Sequence, residues 1–202
     1  MTIGLIGRKA GMTAIFAEDG TLVPVSVVEV EPNTVTALRT PERDGYSAVQ
    51  LGAGTARRLS KPRQGQLKDL PRVRHAREFR VDDVTGFELG QTFDASLFNS
   101  GDRVDVTGVS KGKGFAGAVK RHHKRRGPET HGSDAHRGHG SIGAGTSPGH
   151  VLKGTKMPGH LGHARTTVKH LTVVRADAER NVLLLRGAVP GPRDAVLLVR
   201  KV

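Results

Sequence analysis

Nine of the ten histidines fall between residues 109 and 170, and only His75 lies outside. Imidazole can ligate a metal, carry a proton, or stack on and donate to nucleic acid. His122, His123, His131, Asp134, His136 and His139 are ligand types that zinc accepts, and His136 and His139 stand three residues apart. Their neighbours Lys120, Arg121, Lys124, Arg125, Arg126 and Arg137 are cations that repel a divalent ion, so no metal site is expected. The chain has no cysteine, which removes thiolate zinc sites and disulfides. Gly112-Lys-Gly114-Phe-Ala-Gly117 fits G-x-G-x-x-G. A dinucleotide site would also need a following helix, a second parallel strand and an acid at a strand end about 20 residues on. Here the chain runs instead into Lys120-Arg-His-His-Lys-Arg-Arg126, and Asp134 sits among glycines and histidines. Ser133, Ser141 and Ser147 lie near histidines but lack the strained elbow of a catalytic nucleophile. Neither an enzyme nor a cofactor is expected.

What these residues can do is hold phosphate. Residues 109–170 contain twelve Lys and Arg against Glu129 and Asp134 alone, while the other 140 residues carry 20 basic and 17 acidic groups. A net charge of +13 and a pI of about 10.9 call for a polyanionic partner. The candidate RNA-binding residues are Lys111, Lys113, Phe115, Lys120, Arg121, His122, His123, Lys124, Arg125, Arg126, His131, His136, Arg137, His139, Lys153, Lys156, His160, Arg165 and Lys169. The basic side chains supply phosphate contacts. The histidines stack on bases or donate to phosphates and 2′-hydroxyls. The glycines around Gly112, Gly138–Gly149 and Gly159 let backbone enter crevices too narrow for side chains. This suits insertion into folded RNA; no helix-turn-helix or zinc-finger spacing is visible. A free nucleic-acid-associated regulator or chaperone is the alternative of another class.

The elements that position this segment read as β. Strands are expected over 12–17, 22–30, 34–39, 46–52, 79–81, 103–109, 171–175, 182–186 and 195–199, with turns at Glu18-Asp19-Gly20, Pro41–Gly45, Ala178–Asn181 and Pro190-Gly191-Pro192. Pro24 points to an edge or early-strand position. A short helix is expected within 64–74, ahead of Pro71. Short strands at this spacing imply a mainly β barrel that the C-terminal strands complete. The expected domains are a discontinuous barrel, 1–109 plus 171–202, and an extended basic loop, 110–170, inserted in it. Between Lys120 and His150 the only large apolar residue is Ile142, too little burial to offset roughly 1–2 kcal/mol of backbone entropy per residue. That stretch is expected to be mobile when free and ordered by its partner. No stretch approaches a membrane span or a secretory leader.

These residues also carry a resemblance. Phe98…Asp105-Val-Thr-Gly108-Val-Ser110-Lys-Gly112-Lys113-Gly114-Phe-Ala-Gly117-Ala-Val-Lys-Arg121 resembles the signature of the ribosomal protein L-three family of the large subunit. Gly4-Leu-Ile-Gly7-Arg-Lys9-Ala-Gly11-Met12-Thr13 resembles that family's N-terminus. Thr130-His-Gly132-Ser, Gly140-Ser-Ile-Gly143, Thr146-Ser-Pro148-Gly149, Lys156-Met157-Pro-Gly159-His and Val174-Arg-Ala-Asp177-Ala-Glu179-Arg-Asn181-Val-Leu-Leu continue the match in order. The length resembles the bacterial branch.

The resemblance implies a translation-protein-type β-barrel with an irregular, basic, RNA-penetrating extension. It implies binding to 23S-type ribosomal RNA, early assembly near that RNA's 3′ end, and a loop reaching toward the peptidyl transferase centre. Ser141, Gly143, Gly145, Thr146, Ser147, Pro148 and His150 would form the loop tip. The implied partners are neighbouring ribosomal proteins, L-fourteen and L-nineteen, in the cytoplasmic large subunit, without membrane or homo-oligomer. Thr146 replaces the methylated glutamine of many bacterial relatives, so that modification is not expected here.

Overall fold

The computed structural model describes residues 3–202. Met1 and Thr2, which belong to the N-terminal readings above, lie outside the described residues. The chain divides into two units, the described part of Met1–Ser110 with Arg165–Val202, and Lys111–Ala164.

The first unit is built on antiparallel strands. In chain order these are β1 (Gly4–Phe16), β2 (Leu22–Glu29), β3 (Asn33–Arg39), β4 (Ala48–Thr55), β5 (Val73–Arg80), β6 (Thr92–Phe93) and β7 (Arg103–Val109). After the second unit, with its two-residue strands β8 (Phe115–Ala116) and β9 (Gly159–His160), come β10 (Arg165–Asp177), β11 (Val182–Arg186) and β12 (Val196–Lys201). Six strands close into a barrel in the order β1-β12-β7-β10-β11-β2. The C-terminal strands thus complete the sheet begun at the N-terminus, β12 against β1 and β11 against β2. The remaining strands do not join the barrel. They form a separate sheet, β5-β4-β3-β6.

The alternation of side chains explains the closure. β7 reads exposed, buried, intermediate, buried through Arg103–Val109, with Val104 and Val106 inward. Leu5, Val28, Val173, Leu183, Leu185, Leu197 and Val199 come inward from the other strands and are fully buried. The same core takes in Val35, Val49, Leu51 and Phe79 from the second sheet, and Phe98 after the short 3-10 turn Ala95–Leu97. Phe79 lies where a Cβ on Gly4 would be, 2.6 Å from the ring, so only glycine lets β1 pass beneath it.

Several elements differ from expectation. β1 starts at Gly4, eight residues before the expected strand, because its glycines interrupt the β-branched pattern that marks strands in sequence. Residues 46 and 47 precede β4, which runs on to Thr55. The expected turn at 41–45 contains a one-turn helix, α1 (Pro41–Asp44), closed by Gly45 at φ 80°. The short helix α2 runs Lys61–Gln66 and overlaps the expected span only at 64–66, because Pro62 pre-sets φ in its first turn and β5 already begins at Val73. β5 begins at Val73, not at 79. β10 begins at Arg165 and accommodates a bulge between Val168 and Leu171, where His170 takes φ 56° and its N–H donates to Asp105 Oδ1 at 2.9 Å. Pro24 pairs with Ala14 just outside the stretch of β2 that β11 covers, so its missing N–H costs no ladder bond.

Two polar devices hold the barrel shut. Lys201 Nζ meets Asp102 Oδ2 at 2.6 Å and ties the end of β12 beside the start of β7. This hydrogen bond holds the Asp102 carboxyl below its ordinary range, so the contribution is present at neutral pH and is lost as acid protonates the group. The second device is buried. β1 runs free of β2 before Arg8, and there Asn33 takes the place of a strand. Its Oδ1 accepts from Ile6 N–H at 2.9 Å, and its Nδ2 donates to the Ile6 and Glu31 carbonyls at 3.0 and 2.8 Å. Asn33 is wholly buried, so nothing replaces these bonds if the amide goes. Asn33→Ala strands both backbone groups of Ile6, and at about 1–3 kcal/mol for each buried unsatisfied group the expected loss is roughly 2–5 kcal/mol. Urea unfolding monitored by circular dichroism checks this; a loss below about 1 kcal/mol would show that the amide is not the closure.

Candidate nucleic-acid interface

β7 and β10 pair along their length with Arg165 opposite Val109, so the barrel hands off the chain and takes it back at one place. The segment between, Lys111–Ala164, begins and ends as two paired arms. Lys113 N–H donates to the Leu161 carbonyl and Leu161 N–H to the Gly114 carbonyl, both at 2.9 Å. Phe115 then pairs with His160 and Ala116 with Gly159. The glycine-rich run that resembled a nucleotide fingerprint is one of these arms. The helix after it, α3 (Ala118–His122), is five residues long and ends with His123 in the left-handed region at φ 56°.

Close backbone approach explains the glycines of the arms. A Cβ on Gly162, whose φ is +74°, would stand 2.1 Å from the Lys111 carbonyl oxygen. A Cβ on Gly159 would stand 2.5 Å from Arg121 Nη1. Arg121 is therefore held between the arms, where Nη1 donates to the Met157 carbonyl at 2.9 Å and His122 Nε2 donates to the same oxygen at 3.0 Å.

Further out, the histidines brace backbone. His136 Nδ1 donates to the Pro128 carbonyl at 2.8 Å, and His150 Nδ1 to the Pro148 carbonyl at 2.9 Å. His139 Nε2 donates to the Lys156 carbonyl at 2.6 Å, with Lys124 Nζ 3.3 Å from the same nitrogen, and its Nδ1 is buried without a partner. These bonds fix one tautomer for each ring and commit one nitrogen to structure. Among the described residues, no three of His, Asp or Glu converge in a metal-binding group. The stretch expected to form the loop tip is a set of small turns: Ser141 Oγ donates to the Gly143 carbonyl at 3.0 Å, Gly149 N–H to the Gly145 carbonyl at 3.0 Å, and the Ser147–Pro148 peptide is cis. Gly143, Thr146 and their neighbours through His150 are exposed.

The charge is displayed, not neutralised. Lys111, Lys113, Lys120, Arg125, Arg126, Arg137, Lys153 and Lys156 are exposed, as are His123, His131 and His160. Among the described residues, only Arg126 of this unit has a carboxylate partner, Glu129 at 2.5 Å. Phe115 is 80% exposed, an aromatic face open to stacking. Among the described residues, the buried ones of this unit are Ala116 and Ala118 alone. Arg165 and Lys169, also among the candidate contacts, stand exposed on β10 and belong to the first unit.

The sequence profile of the family described as "Ribosomal protein L3" matches residues 80–181, a span that contains the whole second unit. The "Large ribosomal subunit protein uL3" of Alkaliphilus metalliredigens is 50% identical over 201 residues, covering 98% of this chain and 96% of that protein. The uL3 protein of Heliobacterium modesticaldum is 51% identical over 201 residues, covering 98% and 95%. That of Alkalilimnicola ehrlichii is 53% identical over 207 residues, covering 99% and 95%. Half the residues agree over nearly the full length of both chains. The chain belongs to the ribosomal protein L3 family. It is therefore a structural ribosomal protein and not an enzyme. In this L3-family chain the paired arms are the local structure most dependent on single atoms. Gly162→Ala forces a methyl into the Lys111 carbonyl and is expected to open the arms, at about 1–3 kcal/mol of strain. Limited trypsin digestion should cut after Lys111 and Lys113 roughly tenfold faster than in the unaltered chain. Gly117→Ala, whose Cβ meets nothing within 4 Å, is the control. Equal cutting rates in all three would contradict the role given to Gly162.

Proposed function

We propose that this chain is a structural constituent of the large ribosomal subunit that binds 23S-type ribosomal RNA chiefly through Lys111–Ala164. One observation carries the reading: the second unit carries ten Lys and Arg, eight of them exposed, against Glu129 and Asp134, and among the described residues buries only two alanines. Two buried methyls recover on the order of 2 kcal/mol at most, against tens of kcal/mol of backbone entropy for 54 residues. A polyanion offsets both deficits, because phosphates neutralise the cations and close contact orders the backbone.

On this reading the barrel is of the translation-protein type and lies nearer the RNA surface. The extension threads inward, with Ser141–His150 as the part nearest the peptidyl transferase centre. Its small, exposed side chains suit a narrow passage through folded RNA. Early assembly near the RNA's 3′ end and contacts with L-fourteen and L-nineteen belong to the same reading, as does the cytoplasmic ribosome. Support for placing it in the large subunit comes from relatives about half identical that carry that name.

The test is sedimentation of a cell extract. The protein is expected with large subunits and is expected to stay there at moderate salt. With about six phosphate contacts made by the basic segment to the purified RNA, that segment alone should contribute roughly −4 to −5 to the slope of log K against log salt. Recovery only in the free pool, or a slope near zero, would contradict the proposal.

A further inference from the structure

The connection from β4 to β5 carries a second concentration of charge. Between Arg57 and Arg77 lie eight Lys and Arg against Asp69 alone, a higher density than in the central segment. Outside these two stretches the chain holds twelve basic and sixteen acidic residues and is net negative. All eight cations are exposed. Elsewhere in the same unit cations meet carboxylates: Arg8 with Glu29, Arg39 and Arg43 with Asp44, Lys201 with Asp102. Among the described residues, no cation of 57–77 forms an ion pair with a carboxylate.

The connection nonetheless has a defined shape. Its base is closed by Ala56 N–H donating to the Arg72 carbonyl at 2.9 Å, and α2 gives it a turn of helix. Leu59, Leu67 and Leu70 are half-buried beneath while the cations project. His75 reports the local environment: burial, then Arg74, Arg77 and Arg63, depress its proton affinity below the ordinary imidazole value.

We propose that residues 57–77 form a second RNA-binding surface, on the barrel-bearing unit, that grips phosphodiesters independently of the extension. The proposal rests on the RNA-binding reading above. Six of the eight cations are arginines, whose planar fork matches phosphate oxygens in pairs. The stretch exposes no large apolar residue, so it lacks the hydrophobic anchors of a protein interface. Unpaired cations in a fixed array, without such anchors, favour a polyphosphate backbone.

The absence of cysteine allows a direct test on the full chain. At Gly65 and Gly143 an added Cβ meets nothing within 4 Å, and neither φ is positive. Gly65→Cys and Gly143→Cys, each bearing an iron chelate, are bound to large-subunit RNA and the hydroxyl-radical cuts are mapped. Both probes are expected to cut, at different nucleotides. Cuts from position 143 with none from 65 would overturn the second surface and leave the extension's role intact. No cuts from either would overturn the RNA-binding reading as well. In a second measurement, the chain carrying Arg57→Gln, Arg58→Gln, Lys61→Gln and Arg63→Gln is expected to fold as before and to lose roughly 3 from the magnitude of the salt slope. An unchanged slope with an unchanged melting midpoint would overturn the proposal.

Discussion

Uncompensated positive charge on backbone that has almost nothing apolar to bury is the constraint on which the rest of this structure depends. Lys111–Ala164 holds ten cations, one internal ion pair and two buried alanines. Hydrogen bonds alone contribute about 1 kcal/mol each after exchange with water, far short of ordering so long a stretch. On the proposed function such a segment takes a rigid origin from the strands it leaves and order from a polyanion.

The barrel supplies the origin. Closing six strands removes exposed edges and buries a continuous aliphatic core, so β7 and β10 are held in register up to the point where the chain leaves. The second sheet packs into the same core, with Phe79 over Gly4 and the Asn33 amide standing in for a missing strand beside Ile6. Within the second unit, Gly159, Gly162, Arg121 and His122 keep the two arms together where they begin. Histidines bonded to the carbonyls of Pro128, Pro148, Met157 and Lys156 brace the turns beyond. Their abundance is then partly architectural: a ring that donates one N–H to backbone still presents a flat face or a second nitrogen to a ligand.

Much of this was legible in the sequence. Strands rich in Val and Leu, such as β2, β7 and β11, announced themselves because both faces follow the period of a half-buried sheet. The glycine-rich start of β1 did not, since glycines selected for close approach under Phe79 and beside Val28 look like turn residues. The separate sheet was hidden because pairing partners far apart in sequence leave no local sign. The central segment stood out by charge, glycine and histidine together. The arms within it, and the work of Gly162 and Arg121, rest likewise on contacts between residues far apart in the chain. The basic stretch at 57–77 was masked by averaging: taken with the acidic remainder of the body, its surplus fell to a near-neutral balance.

On the proposed function, RNA and not an internal core orders the outer part of the second unit. Amide hydrogen exchange of the full chain, free and bound to large-subunit RNA, measures this residue by residue. Residues 120–150 are expected to exchange rapidly in the free protein while β7 and β10 are protected, and RNA is expected to bring 120–150 to comparable protection. Strong protection of 120–150 in the free chain, or no change on binding RNA, would contradict that ordering by RNA.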